Sequence, residues 1–320
     1  MQSIRARHDR SLSARVIRSM PLLYAEGADA SLDRPAHVRS ASGLTRVAGC
    51  VAAVQDDANF VAVIDPATGL ARAITLPAGE GGLRQFDDLR GNKRFKLDLE
   101  SCVTVEDKYG WEMLLAFGSG SLPARERIVL VRGVETDAAD ARVIDASALY
   151  AAFPPGFRGS ELNVEGAAVM GATLRLFNRG NGAARDGLVP VNASCDLDLA
   201  ALLAFLRDPA ADPPRPTHVV RYDLGAIGGL PLTFTDAAAV PGALLYAAAA
   251  EDSPDATRDG PVAGCAIGLI EGDAARYCEV EGNPGKIEGI LPLSSDRLLA
   301  VVDPDDPGTP STLLEIEFKR

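Results

Sequence analysis

Histidine is scarce in this chain, with three residues at positions 8, 37 and 218. A serine–histidine–aspartate mechanism would have to use His218, and no H-E-x-x-H helix motif is present. The phosphate-binding G-x-x-x-x-G-K-[ST] loop and the G-x-S-x-G nucleophile elbow are also missing; Gly118-Ser119-Gly120-Ser121 has neither the lysine nor the spacing of a phosphate loop. Five cysteines, at 50, 102, 195, 265 and 278, are an odd number with no C-x-x-C pair. That argues against a disulfide framework or a thiolate zinc site and for reduced, mostly buried thiols. No apolar run approaches the roughly 18 residues of a membrane helix, and Arg and Asp interrupt the first 24 residues before a signal-peptide core develops, so a cytoplasmic location is expected. Positive charge is in deficit, with a net charge of -12 and a pI near 4.8. Nucleic acid and anionic membranes are therefore disfavoured as partners, and a highly anionic substrate would need a cation between it and the protein.

What the chain does have is a repeat. In ELNVEGAAVMGATLRLFNRGNG, residues 161–182, two short strands flank a tight turn at Met170-Gly171. The oxygen-bearing residue and small neighbour at Glu165-Gly166 recur at Ser42-Gly43, Glu100-Ser101, Asp236-Ala237 and Glu288-Gly289, so that successive anchors lie 58, 65, 71 and 52 residues apart. A supersecondary unit recurring at such intervals marks a propeller or another radial array. The expected fold is an all-β, five-bladed β-propeller of four-stranded antiparallel blades, forming one domain over 14–320. The blades fall at about 42–77, 97–147, 162–224, 232–281 and 286–320. The last segment is one strand short. Residues 14–23, β-branched and without a partner nearby, would pair beside TLLEIEF to close the ring and cover an exposed edge. Residues 1–13 are expected to be a flexible terminus. CDLDLAALLAFLRD has leucines at near-helical spacing and is expected to form a helical insertion in the third blade with Asp196 as N-cap; SALYAAF should make a short helical turn halted at Pro154-Pro155. The glycine-rich, charged stretch 78–95 is a surface connection and a candidate lid.

In each blade the end of the second strand returns beside the start of the first. The ring of Ser42, Glu100, Glu165, Asp236 and Glu288 should therefore share one end of the molecule with Asp56-Asp57, Asn178-Arg179-Gly180-Asn181, Glu251-Asp252 and Asp303-Pro304-Asp305. Four carboxylates around a narrow channel cannot all stay ionised without help, because each close like-charge pair costs on the order of several kcal/mol. The help could be a hard cation with oxygen ligands, Ca²⁺ or else Mg²⁺. It could equally be protonation, pairing with Lys96, Lys286 or Arg179, or backbone N–H groups from neighbouring blades. Strand alternation puts Lys286 on the side of Glu288 and Lys96 on the side of Glu100. Arg179, between asparagine and glycine, suits bidentate contact with an anion.

The segments SGL…QDD, DLES…FGSGS, ELNVEGAAV…LFNRGN, FTDA and KIEGI…DPDD…LLEIEF resemble an uncharacterised family of bacterial β-propeller proteins, over nearly the whole chain from Ser42 onward. The layout is more distantly similar to the calcium-activated nucleotidases (apyrases), five-bladed propellers whose central Ca²⁺ is held by Ser and Glu of successive innermost strands. That resemblance implies Ca²⁺ on Ser42, Glu100, Glu165 and Glu288, with Asp236 or Thr235 in place of a Ser and Arg179 as a phosphate ligand. Gln55-Asp56-Asp57-Ala58-Asn59 departs from the Asp-Arg-Thr-Gly run of that family. The Glu-Gly pattern also resembles the phytase-like and esterase-like propellers.

The function expected from these residues is a divalent-cation-dependent hydrolase of a small phosphorylated molecule. Ser42, Glu100, Glu165, Asp236 and Glu288 would hold the metal. Arg179, Lys96, Lys286 and Asn181 would contact the small anionic ligand, and Asp57, Asp252 or Asp305 would activate water. The alternatives are a non-catalytic binding propeller with a structural cation, and a metal-dependent lactonase, which asks for no arginine.

Overall fold

A computed structural model describes residues 2–208, 210–253 and 260–320, and these are mostly strand. Successive hairpins build five four-stranded antiparallel units, each opened by one of the anchor strands Ala41–Val47, Leu99–Glu106, Val164–Met170, Leu230–Val240 and Ile287–Pro292. The fifth unit has three strands of its own and takes its fourth from Ser13–Pro21, which runs antiparallel to Thr312–Lys319. Hydrogen bonds join the strands into sheets of fourteen, four and five, and no hydrogen-bonded ring closes.

Apolar side chains gather in five clusters, and each lies between two neighbouring units. Phe117 and Phe157 pack between the second and third, Phe177 and Phe234 between the third and fourth, Ile267 and Ile316 between the fourth and fifth, Leu44 and Leu313 between the fifth and first, and Val54 and Leu114 between the first and second. Strands so deeply buried on both faces lose the strict apolar–polar alternation of a half-exposed sheet.

The opening strands come close enough to demand small residues. A Cβ on Gly289 would lie 2.1 Å from the Ser42 carbonyl oxygen, and one on Gly43 would lie 2.7 Å from the Cys102 nitrogen. The register also slips by one residue in every opening strand, between Ala41 and Leu44, Leu99 and Ser101, Val164 and Gly166, Phe234 and Asp236, and Ile287 and Gly289. A bulge of this kind swings its extra residue off the ladder and re-aims the side chain. The recurrent pairing of an oxygen-bearing residue with a small one is thus a bulge residue followed by a backbone contact.

Several expectations are corrected. Within the stretch expected to be a flexible terminus, Gln2–His8 is a strand parallel to Val220–Asp223 and then to Ala275–Tyr277. The third-unit helix spans Leu199–Arg207 and its N-cap is Asp198, which accepts from Ala201 N; Asp196 lies in the preceding strand, paired with Arg175. The helix Ser147–Ala152 does end at the prolines, but Pro155 opens a second short helix, Pro155–Arg158, as its first residue. The stretch 78–95 is pinned down over much of its length. The Asp33 carboxylate accepts the amides of Arg84 and Gln85 and the Arg90 guanidinium, while Arg39 holds Asp87 and the Phe86 carbonyl. No helix among the described residues is long and apolar enough to cross a membrane.

Gly289→Ala should cost about 3 kcal/mol, since backbone rather than a pliable side chain blocks its methyl. Gly272→Ala, with φ +59 and nothing within 4 Å, should cost only the left-handed strain of about 1 kcal/mol. Urea unfolding of the two variants checks the difference.

Candidate functional site

The bulges carry Ser42, Glu100, Glu165, Thr235 and Glu288. Four of these, Ser42, Glu100, Glu165 and Glu288, line a cavity of about 40 Å³, room for a few waters or for an ion with waters. In the fourth unit the slipped residue is Thr235 rather than Asp236, and neither lines the cavity. Asp236 turns its carboxylate to main chain instead, accepting Ala237 N at 2.7 Å and Ile290 N at 2.8 Å. It ties the fourth unit to the opening strand of the fifth.

The three glutamates on bulges are satisfied by halves. Glu100 Oε2 lies 2.9 Å from Ser42 Oγ. Glu165 Oε1 accepts from Asn163 Nδ2 at 2.7 Å and Arg179 Nη1 at 3.3 Å. Glu288 Oε1 is 2.9 Å from Lys286 Nζ. Among the described residues no hydrogen bond reaches the other oxygen of any of the three. Glu288 Oε2 and Thr235 Oγ1 are buried outright without a partner.

Cations neutralise part of this charge, and Lys96, Arg179 and Lys286 each have more than one anion to serve. Lys96 does not pair with Glu100; its Nζ is 2.5, 2.9 and 2.7 Å from carboxylate oxygens of Asp56, Asp57 and Asp98. Asp98 also receives Arg125 Nη1 at 2.9 Å and the Ser119 hydroxyl. Arg179 spends all three of its nitrogens, on Glu165, Glu251 and Thr233 Oγ1. Lys286 sits between Glu288 and, at 3.5 Å, Glu251. Burial raises Glu100, and Asp56 and Glu165 add to the shift. Burial likewise raises Glu165 against the pull of Arg179, and it pushes Glu288 up to about 8 against Lys286. At Asp98 burial acts in the same sense, but Lys96 and Arg125 outweigh it and hold the carboxyl below its usual range. Glu251 is lowered too, because Lys286 and Arg179 overcome its burial.

Lys96, Lys286, Arg179 and Asn181 all line the cavity. Of Asp57, Asp252 and Asp305, only Asp305 lines it too, and it is exposed. Asp57 faces an adjoining cleft of about 160 Å³ with Arg39 and Asp87, and Asp252 is exposed and lines neither. Sequence reasoning missed Asp98 and Arg125, and it put Glu251 at this end without giving it a partner. Asp98 and Arg125 lie off the repeating anchors and carry no pattern of their own. Asp56, Asp98 and Glu100 offer oxygens within 4.8 Å of one another, a spacing able to hold a metal ion.

A family model described as "Family of unknown function (DUF6929)" matches residues 37–318. No curated protein matches the chain. Among solved structures it is similar to the PQQ-bound aldose sugar dehydrogenase of Streptomyces coelicolor (14% identity, 98% of this chain and 100% of that one, TM-score 0.49). It is also similar to the glutaminyl cyclase of Myxococcus xanthus (10%, 99% and 99%, 0.49) and the Pan2 WD40 domain of Neurospora crassa (6%, 97% and 97%, 0.41). Likenesses at this level say nothing of activity.

Two outcomes follow from the charges. Glu288 titrates near 8 when folded and near 4.5 otherwise, so the folded state holds the extra proton and its contribution is full below pH 4.5 and lost as pH rises through 8. In EDTA, stability should therefore fall from pH 5 to pH 8, with a smaller fall in Glu288→Gln, as read by urea midpoints. Arg179→Ala leaves Glu165 and Glu251 short of their guanidinium and should cost about 3–5 kcal/mol in the same assay.

Proposed function

Because the chain belongs to that family of unknown function, we propose its role from the site itself: a five-bladed propeller that holds a hard divalent cation on its axis and uses it to hydrolyse a small molecule. The cyclic packing of the five units supports the blade count, with Ser13–Pro21 completing the last blade. Ca²⁺ is the first candidate ion and Mg²⁺ the second, because flexible, oxygen-only ligands from several strands suit the larger ion.

The observation that carries the reading is the pair of orphaned buried oxygens, Thr235 Oγ1 and Glu288 Oε2. Both stand on bulges, in register with Ser42, Glu100 and Glu165. Burying an oxygen without a partner costs about 1–3 kcal/mol, and a cation is the partner that oxygens from several strands would share. The donor set therefore fits a hard ion, with Ser42, Glu100, Glu165, Thr235 and Glu288 as the residues that would hold it. When bound, the ion supplies Lewis acidity toward a phosphoryl or carbonyl oxygen and a more acidic water. Lys286 and Arg179 fix the carboxylates of Glu288 and Glu165, Asn181 orients a ligand from the wall, and Asp305 takes up a proton at the mouth.

A small phosphorylated molecule is the first substrate class, on the similarity of the ligand set to calcium-activated nucleotidases. A lactone is the second, favoured because Arg179 is already engaged by Glu165 and Glu251 and a lactone asks for no arginine.

Ca²⁺ at about 100 times its Kd should raise the Tm by roughly 4 °C over EDTA. Thr235→Val should leave the EDTA-treated protein as stable as wild type, since it deletes an unpaired hydroxyl, yet shrink the Ca²⁺ response. Glu100→Gln with Glu288→Gln should abolish it. An unchanged Tm in Ca²⁺ and Mg²⁺ sinks the cation. A cation response without turnover of phosphate esters, nucleotides or lactones leaves a binding propeller with a structural ion.

A further inference from the structure

A second cavity lies at the opposite end, beside the hairpin turns. Gln2–Arg5 pairs with the outer strand of the third unit, and Ala6–His8 crosses to the outer strand of the fourth. Where that strand changes partners the two units splay, leaving a cleft of about 490 Å³, inside the range of about 300–1,000 Å³ in which small-molecule sites fall. Its wall is apolar, formed chiefly by Ile4, Val220, Leu244 and Ile270, all buried.

Two nitrogen donors border this apolar wall. Arg175 forks Nε and Nη2 onto the two oxygens of Asp196 at 2.6 and 2.8 Å, so the guanidinium is held rigid, and its Nη1 has no hydrogen bond among the described residues. His218 lines the same cleft, and its ring has no hydrogen bond there either. The backbone has been bent to put it there. Pairing passes from Ser194↔Val220 to Asp196↔Thr217, which leaves an extra residue on the outer strand, and His218 adopts φ +48. A non-glycine residue in the left-handed region is disfavoured, and such strain gathers at ligand clamps. Asp273, the one acid on the cleft lining, accepts from Gln2 Nε2 at 2.6 Å.

We propose that this cleft binds a small carboxylic acid with an apolar tail, the tail against Ile4, Val220, Leu244 and Ile270 and the carboxylate between Arg175 Nη1 and the His218 ring. The cleft is separate from the central cavity and needs no metal. The probe is sodium octanoate below its micelle concentration, titrated by calorimetry into the full chain in EDTA, with octan-1-ol and octylammonium as comparators. Octanoate should bind at least about tenfold more tightly than either, the discrimination expected of one charge-assisted contact, and should raise the Tm. Ala239→Phe, at an exposed position on the cleft wall, should abolish binding while circular dichroism stays unchanged. His218→Gln, which needs no refolding of the core, should weaken it about tenfold. Absence of heat at millimolar octanoate, equal affinity for the alcohol or the amine, or undiminished binding to Ala239→Phe would each overturn the proposal.

Discussion

Everything at the axis follows from how near the five opening strands come to one another. Their main chains touch at Gly43, Gly166 and Gly289, a distance that excludes side chains from the contact and leaves the bulge just before it as the place where a side chain can turn inward. Four of the five bulges put an oxygen-bearing side chain, Ser42, Glu100, Glu165 or Glu288, on the wall of one cavity. Like charges a few ångströms apart at an effective protein dielectric cost on the order of several kcal/mol per pair, so this backbone geometry creates the electrostatic problem that the surrounding residues answer. Lys96, Arg125, Arg179 and Lys286 are the answer supplied by the chain; Lys96, Arg179 and Lys286 are each shared among carboxylates, and Arg125 serves Asp98. Glu100 alone among the bulge glutamates has a hydroxyl, not a cation, beside it.

The outer rim is held differently. Residues 2–24 run along the edges of the units, parallel to the third and fourth at Gln2–His8, antiparallel to Thr312–Lys319 and briefly parallel to Val280–Glu281 at Ser13–Pro21, and parallel to Leu70–Ala71 at Leu23–Tyr24. One segment thereby covers edges that would otherwise offer unpaired N–H and C=O groups. It also links first, third, fourth and fifth units by main-chain hydrogen bonds, which the side-chain packing between units does not supply.

Much of this was legible in the residue pattern. The hairpins, their order and the partner of residues 13–21 follow from β-branched runs cut by Gly, Pro and Asp, a period-two signal that needs no tertiary information. The anchors of four units were legible too, because Gly or Ser follows the bulge at Gly43, Ser101, Gly166 and Gly289. The error at Asp236 has a physical cause: Thr235 and Asp236 are both polar and Ala237 is small, and only the pairing register tells which of the two leaves the ladder. Gln2–His8 was illegible because QSIRARH alternates charge on a strand whose partners lie more than 200 residues away. The pairings of Lys96 with Asp56, Asp57 and Asp98 belong to the same class, since alternation predicts which side a lysine faces but not which of several acids on that side it reaches.

The neutralisation pattern also limits what the site can do. Arg179, Lys96 and Lys286 are each bound to buried carboxylates, so drawing any of them toward an incoming anion would strip a buried acid of its partner, a change costing about 3–5 kcal/mol. An anion arriving at the cavity therefore gains little from these groups unless positive charge arrives with it. A cation has the reverse prospect. The second oxygens of Glu100, Glu165 and Glu288 and the Thr235 hydroxyl offer acceptors that no donor among the described residues satisfies, and binding there breaks none of the pairs described above. Under the proposed function, a cation would therefore bind ahead of a small molecule, and Arg179 would stay with Glu165 and Glu251.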